Sequence, residues 1–266
     1  MKTSSRKLAV RVIGVCSILG LAAGAPAQVA IRTGVNAQTR CGLLLPITST
    51  VHAGDSMASL NQTDEESWLA PQDWSLAGVH VLKMDSLSET TTETSTPDAN
   101  ELSAQTNVNG LNLLDGGIVV QTTALEDTLE FNLLTLKLAE TETVKASHVT
   151  VDGVPYPDLV RHIPAAPGDT APGTSIPIDR TVTRTILQAD GSVKVTEQVS
   201  FVGALTLEDP AGSIDKPVPG ETSSKAAIYL TGHLGGTLLA RPCDVMITVG
   251  EIHANDGESE SAMAAH

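Results

Sequence analysis

Three cysteines and seven histidines are the residues of this 266-residue chain best suited to redox, metal or nucleophilic chemistry. The histidines are His52, His80, His148, His162, His233, His253 and His266. They stand far apart, without the short spacings from which metal centres are built. No GxSxG, HExxH, paired CxxC or GxxxxGK[ST] string occurs. His233 lies in Thr231-Gly232-His233-Leu234-Gly235-Gly236. One reading makes it a base in a glycine-lined pocket. The favoured reading is a turn after a strand, because glycine is ordinary punctuation. Asp64, Glu65 and Glu66 could supply carboxylates to calcium, but the alternating Asp/Asn pattern of a calcium loop is missing. No catalytic residue, metal ligand or cofactor is therefore assigned.

The cysteines are more informative. Cys16 sits in an apolar leader, with Val15 before it where a lipoprotein signal needs a small residue. Once the leader is removed, Cys41 and Cys243 are the only two cysteines. An even count without metal-ligand companions, outside the membrane, predicts a disulfide. Cys41 opens the first apolar run and Cys243 precedes the last, so the bond would clasp the start of the fold to its end. Two separate buried thiols, or a bond between chains, are the alternatives.

The leader itself is legible. Lys2, Arg6, Lys7 and Arg11 carry positive charge with no acid among them. An apolar run from Val12 to Ala25 follows, ending in small residues. This is the layout of a secretory signal peptide over residues 1–27, cut after Ala25-Pro26-Ala27 to leave Gln28. An uncleaved anchor would need about 20 apolar residues. Nothing further along reads as a bilayer span, and Asn255 to His266 is a small, acidic tail expected to be disordered. The expectation is a secreted chain, extracellular or associated with the cell surface, with no membrane insertion after cleavage.

The whole chain has a formal net charge of −15. Without the leader, 12 Lys and Arg face 31 Asp and Glu, a net charge near −19. Such a surface repels phosphate backbones and anionic lipid, which argues against nucleic-acid partners. Hydrophobic residues at 41% suffice for a core, but aromatics at 2% make it almost wholly aliphatic and count against a sugar-binding face of stacked rings.

The elements that would position these residues are short and β-branched. The stretch Asn107 to Gln121 (NVNGLNLLDGGIVVQ) holds two apolar runs around Asp115-Gly116-Gly117, which reads as two strands and a tight connection. Residues 28–75 read as a polar N-terminal segment and irregular lead-in. Gln28 to Arg40 is expected to be loosely held, Cys41 to Val51 an edge strand, and Ser56 to Ser75 a loop with one helical turn. Asn61-Gln62-Thr63 is a glycosylation sequon, and Trp68 and Trp74 are expected to cap the core. Residues 76–254 read as the β domain. Val79 to Leu87 alternates as a strand with apolar residues on both sides, and His80 is expected at its core or edge. Ser88 to Asn100, rich in Thr and acid, reads as a loop or ribbon. Thr122 to Lys145 is ambiguous. Leu125, Leu129, Leu133 and Leu136 recur at helical spacing, yet Thr128 to Leu138 also alternates as a long strand, which the β-rich context favours. Asp152-Gly153 marks a turn, and Pro157 to Asp179 an extended loop with a strand beginning near Ile176. Arg180 to Val202 is a hairpin turning at Asp190-Gly191, with Val193, Val195, Val199 and Phe201 on one face. Glu208 to Lys225 reads as a loop, then Ala226 to Thr231 and Asp244 to His253 close the fold. Roughly ten short strands without a repeat predict an all-β, antiparallel β-sandwich or barrel-like fold with long Pro/Gly/Thr-rich loops.

These segments follow one another in an order that carries a resemblance. VNGLNLLDGGIVVQTTALE, HVTVDGVPY, a Pro-rich loop with SIPI, the hairpin, AIYLTGHL and DVMITVGEIHA resemble the bacterial choice-of-anchor P family of secreted proteins over about Leu76 to Ala254. The resemblance implies a secreted all-β domain without assigned activity, often displayed at the cell surface through a C-terminal anchor. This chain departs from that pattern in having no C-terminal sorting signal, and the family offers no catalytic residues to carry over.

Three functions fit the sequence. The favoured one is a secreted non-catalytic structural or cell-surface interaction protein with an unknown extracellular partner and with self-association left open. The others are an extracellular glycan- or calcium-binding module and a secreted hydrolase with a site scattered through the chain. The leader yields a direct test. Mass spectrometry of the exported protein should find an N-terminus at Gln28, and a retained Met1 would contradict it.

Overall fold

The computed structural model describes residues 30–42, 47–54, 56, 61–69, 71–171, 174–187, 192–207, 221–237 and 241–255. The expectations for the leader, for the Asp190-Gly191 turn, for residues 208–220 and for the tail beyond Asn255 lie outside them.

The described residues contain no helix and sixteen strands. In chain order these are β1 (Ala30–Cys41), β2 (Ile47–Ala53), β3 (Gln62–Trp68), β4 (Gln72–Leu76), β5 (Val79–Met84), β6 (Ser86–Ser95), β7 (Ala99–Leu113) and β8 (Ile118–Asn132). There follow β9 (Lys137–Ser147), β10 (Thr150–Val151), β11 (Val154–Pro155), β12 (Leu159–Ile163), β13 (Ser175–Leu187), β14 (Val193–Leu207), β15 (Glu221–Leu234) and β16 (Cys243–Asn255). All pairings are antiparallel.

Two sheets pack face to face, and neither closes into a barrel. One has the order β13-β14-β15-β16-β1-β2. The other has ten strands built on the long β7–β8 hairpin. β5 and β6 share one edge of β7, meeting it at Leu113 and from Asn109 to Asn100 respectively. The kink between them is Asp85, whose amide donates to the Asn109 carbonyl at 2.9 Å. Gly110 opposite is at φ +64, where a Cβ would collide with the Asp85 carboxylate. β9 and β10 share the far edge of β8 in the same way. At any level the second sheet is thus as wide as the first.

Strand alternation fills the space between with aliphatic side chains. Val35, Ala37, Ile228, Leu230, Val245, Ile247 and Val249 face Leu87, Val108, Leu111, Leu125 and Val144, all at 1% exposure or less. Phe201 is the largest fully buried side chain among the described residues. It lies against a cross-strand pair of glycines, Gly203 and Gly232, where a Cβ on either would strike its ring. Arg180 fills the same kind of space over Gly117 and pairs with Asp152 at 3.5 Å.

The antiparallel sandwich is as expected, and so are the turns with a mechanism. Asp152 (φ 49) and Gly153 (φ 77) form a two-residue connection with both central residues left-handed, the geometry of a type I′ turn. Several segments differ from expectation. Gln28 to Arg40 is not loosely held from Ala30 onward. β1 is an inner strand between β16 and β2, and Thr33 and Thr39 are buried beside Val35 and Ala37. Ser56 to Ser75 carries β3 and most of β4, and none of its described residues is helical. The Thr-rich Ser88 to Asn100 is mostly β6, because threonine is β-branched and suits a pleated face. Thr128 to Leu138 is not one strand: the end of β8 and the start of β9 flank a turn at residues 133–136. The Asn132 side chain accepts from the Leu134 and Thr135 amides at 3.1 and 2.8 Å, leaving Leu134 and Leu136 exposed. Pro157 to Asp179 includes β12. Trp74 packs against the core, but Trp68 is 38% exposed and is not among the side chains packed on it.

Cys41 and Cys243 are directly opposite on β1 and β16 and form a disulfide, with Cα atoms 4.0 Å apart at a sequence separation of 202. Arg184 of β13 closes this end of the sandwich. Its Nε donates to the Ala77 carbonyl at 2.8 Å, its Nη1 to the Arg241 carbonyl at 2.7 Å, and its Nη2 lies 3.5 Å from Cys243 Sγ. Burial pulls the guanidinium below its usual value, with Glu197 opposing the shift. Three donors matched in the interior offset much of the desolvation. Replacing both cysteines by alanine should lower stability by up to roughly 4–5 kcal/mol while keeping the β-sheet spectrum. Denaturant titration with and without reductant is the measurement, and an unchanged midpoint would contradict the clasp.

Candidate functional site

The outer face of the β4–β5 hairpin gathers the only Ser, His and Asp group in contact among the described residues. Ala77 (φ 52) and Gly78 (φ 79) turn the chain, so that Ser75 pairs with His80 across the hairpin. Asp73 lies two residues earlier on the same face. His80 Nδ1 is 3.0 Å from Asp73 Oδ1 and 3.1 Å from Ser75 Oγ. A cleft of about 340 Å³ opens beside them, lined by Asp73, His80, Leu82, Lys83, Asn112, Asp115 and Gly116.

The composition is that of a hydrolase relay, but the connectivity is not. A relay needs the carboxylate on one imidazole nitrogen and the nucleophile on the other. Here both contacts fall on Nδ1. With the Nδ1 hydrogen donated to Asp73, that nitrogen has no lone pair to take the Ser75 proton. The His80 and Asp73 side chains are also 63% and 53% exposed, so water screens their interaction. The cleft mixes carboxylates, an ammonium group and a carboxamide at the surface. It offers hydrogen bonds to a small polar molecule but no dry, shaped pocket.

The residues singled out in the sequence do not converge. His233 is neither in a pocket nor in a turn. It sits within β15 on the outer face, where its Nδ1 meets Asp244 Oδ1 across the strand at 3.1 Å, both side chains 56% exposed. Gly232 beside it serves the Phe201 ring. Asp64, Glu65 and Glu66 lie on β3, where alternation sends Glu65 to the face opposite its neighbours. Among the described residues no group of three or more His, Cys, Asp or Glu could hold a metal ion. Asn61 of the sequon accepts the Ser95 amide at 2.7 Å through its side chain. Of the residues assigned from sequence, only Cys41 and Cys243 are brought together.

Sequence reasoning missed the Asp73, Ser75 and His80 group. The signal was present as alternation of Asp73 with Ser75, but reading the segment as a loop left it without a register. It also missed the charged interior. Glu89, Asp127 and Glu142 are buried on the inner face of the ten-stranded sheet, with Asp127 and Glu142 directly opposite on β8 and β9. Gly54, at φ +92, leaves room for the Glu89 carboxylate.

A third His–Asp contact has a structural task. After β12 the chain turns back along that strand's open edge. Asp169 accepts from the His162 and Ala166 amides at 3.1 and 2.8 Å and contacts His162 Nδ1 at 2.7 Å. Thr170 accepts from the Val160 amide at 2.9 Å. The Ala166 amide, then the His162 side chain, hold the Asp169 carboxyl below its ordinary value, against a smaller opposing effect of burial. No family model, curated protein or solved structure matches the chain.

A carboxyl whose folded value is depressed contributes stability above its unfolded value and loses it as pH falls through the folded one. Protection of the His162 and Ala166 amides should therefore persist at neutral pH and collapse only below the ordinary carboxylate range. Asp169→Ala should remove it at every pH. Amide exchange followed by NMR is the measurement, and protection indifferent to both changes would refute the anchor.

Proposed function

We propose that this is an exported, non-catalytic structural or cell-surface interaction protein. The observation that carries the reading is the Cys41–Cys243 bond. A bond that ties an inner strand to its neighbour within the sheet belongs to a compartment that keeps thiols oxidised. The signal-like leader, the acidic balance and the resemblance to the choice-of-anchor P family point the same way. The shared nitrogen at His80 argues against acyl transfer at the one Ser, His and Asp group described. Function then rests on the surfaces of a braced scaffold rather than on a reaction centre.

Cell fractionation should place the protein outside the cytoplasm. The purified protein should give no turnover above background on ester, peptide and glycoside substrates. A turnover that survives repurification and disappears in His80→Ala would overturn the non-catalytic reading, and a reduced, cytoplasmic protein would overturn export.

A further inference from the structure

Among the described residues the strand edges are protected one by one, with a single exception. β12 is covered by Asp169 and Thr170. β3 carries Asp64, Glu65 and Glu66. β4 is five residues long, contains Asp73 and is broken by a register shift between Trp74 and Ser75. β11 is two residues with Pro155. On β13 the Thr185 amide already donates to the Gly78 carbonyl at 2.7 Å, so its odd-numbered residues direct their backbone outward. Pro177 is among them and has no hydrogen to offer. These are the ordinary devices against edge-to-edge pairing.

β2, ITSTVHA, has none of them. It carries no Asp, Glu, Lys, Arg or Pro and pairs with β1 without a bulge. Its hydrogen-bonding parity follows from the disulfide. Directly opposed cysteines only 4.0 Å apart occupy a pair that exchanges no hydrogen bonds. The Gly42 amide donating to Pro242 at 3.0 Å agrees, because it makes the even-numbered residue the one facing β16. Cys41, Thr39, Ala37 and Val35 therefore direct their backbone to β2, where Ile47, Ser49, Val51 and Ala53 receive it. Thr48, Thr50 and His52 direct theirs away from the sheet. Their backbone groups hydrogen-bond to no described residue.

We propose that this edge pairs with the same edge of a second copy, about a two-fold axis at Thr50. Thr50 faces Thr50, and Thr48 faces His52 in both directions. All three are hydrogen-bonded pairs, so every outward donor meets an acceptor. The two six-stranded sheets join into one of twelve. Charge selects this edge for a like partner. A two-fold contact sets each residue against its own neighbourhood, and a chain of net charge −15 repels itself wherever acids line the edge. β2 is the long edge where they do not. Ile47, on the inner face yet 62% exposed, would gain cover from the partner's Ala53 end.

Sedimentation of the purified full chain over a concentration series tests the pairing. The parent should show a closed monomer–dimer equilibrium. Thr50→Pro deletes an outward amide unused in the single copy, and Thr50→Lys sets like charges across the axis. Each should raise the dissociation constant at least ~10-fold, with the far-ultraviolet spectrum and the disulfide unchanged. A parent monomeric throughout, a dimer indifferent to both variants, or open-ended polymers would each overturn the proposal. Export and catalysis play no part in this readout, so it stands or falls apart from the proposed function.

Discussion

The architecture depends on the two ends of the described chain meeting in the middle of one sheet. β1 and β16 are neighbours over twelve paired positions, and the Cys41–Cys243 bond fixes the last of them. Without that pairing, β2 would be cut off from the β13–β16 block, and the six-stranded sheet would separate into unequal parts. Contacts this distant in sequence are entropically expensive to form. A covalent bond across them removes part of that cost from the unfolded state. Arg184 reinforces the same corner by holding the β4–β5 turn, the Arg241 backbone and the disulfide with one side chain.

The interior is made of small aliphatic groups, which sets a second constraint. Such side chains gain stability only through close contact, so every larger group needs a prepared space. Phe201 has it because Gly203 and Gly232 leave the adjoining strands bare. Arg180 has it because Gly117 carries no Cβ. The glycines read in the sequence as punctuation are in these places packing residues inside or beside strands, and an alanine there would displace a ring or a guanidinium.

Strands carrying their own signal were legible in the sequence: the β7–β8 hairpin, the Asp152-Gly153 turn, the β13–β14 pair and β16. The disulfide was legible because, with Cys16 set aside in a signal-like leader, two cysteines remain and no alternative ligand set accompanies them. Polar strands were not. β1, β3 and β6 hold few hydrophobic residues and take their structure from neighbours on both sides or on one face, information that local periodicity lacks. The β8–β9 turn was hidden because Leu133, Leu134 and Leu136 look like core. The stronger local determinant was the single Asn132 carboxamide gathering the turn's amides. The cluster at His80 was hidden for the same reason as β4, since cross-strand neighbours exist only once a register does.

Among the described residues the polar groups are distributed so that few titratable side chains converge. The surface contacts of His80 with Asp73 and of His233 with Asp244 stand more than half exposed to water, which screens an ion pair. The broad outer face of the ten-stranded sheet runs Thr63, Thr92, Ser103, Thr128, Thr141 across five strands at one level. Hydroxyls in such a row partner one another, as Thr63 and Thr92 do at 3.1 Å, and present a flat hydrated surface rather than a cleft. Reaction centres need convergence and exclusion of water, and a sandwich converges only at its rims or interior. Here the disulfide and Arg184 occupy one rim and aliphatic packing most of the interior. Among the described residues the polar side chains are therefore spread over faces and strand edges, and acids such as Asp64, Glu65, Glu66 and Asp73 stand on two of those edges.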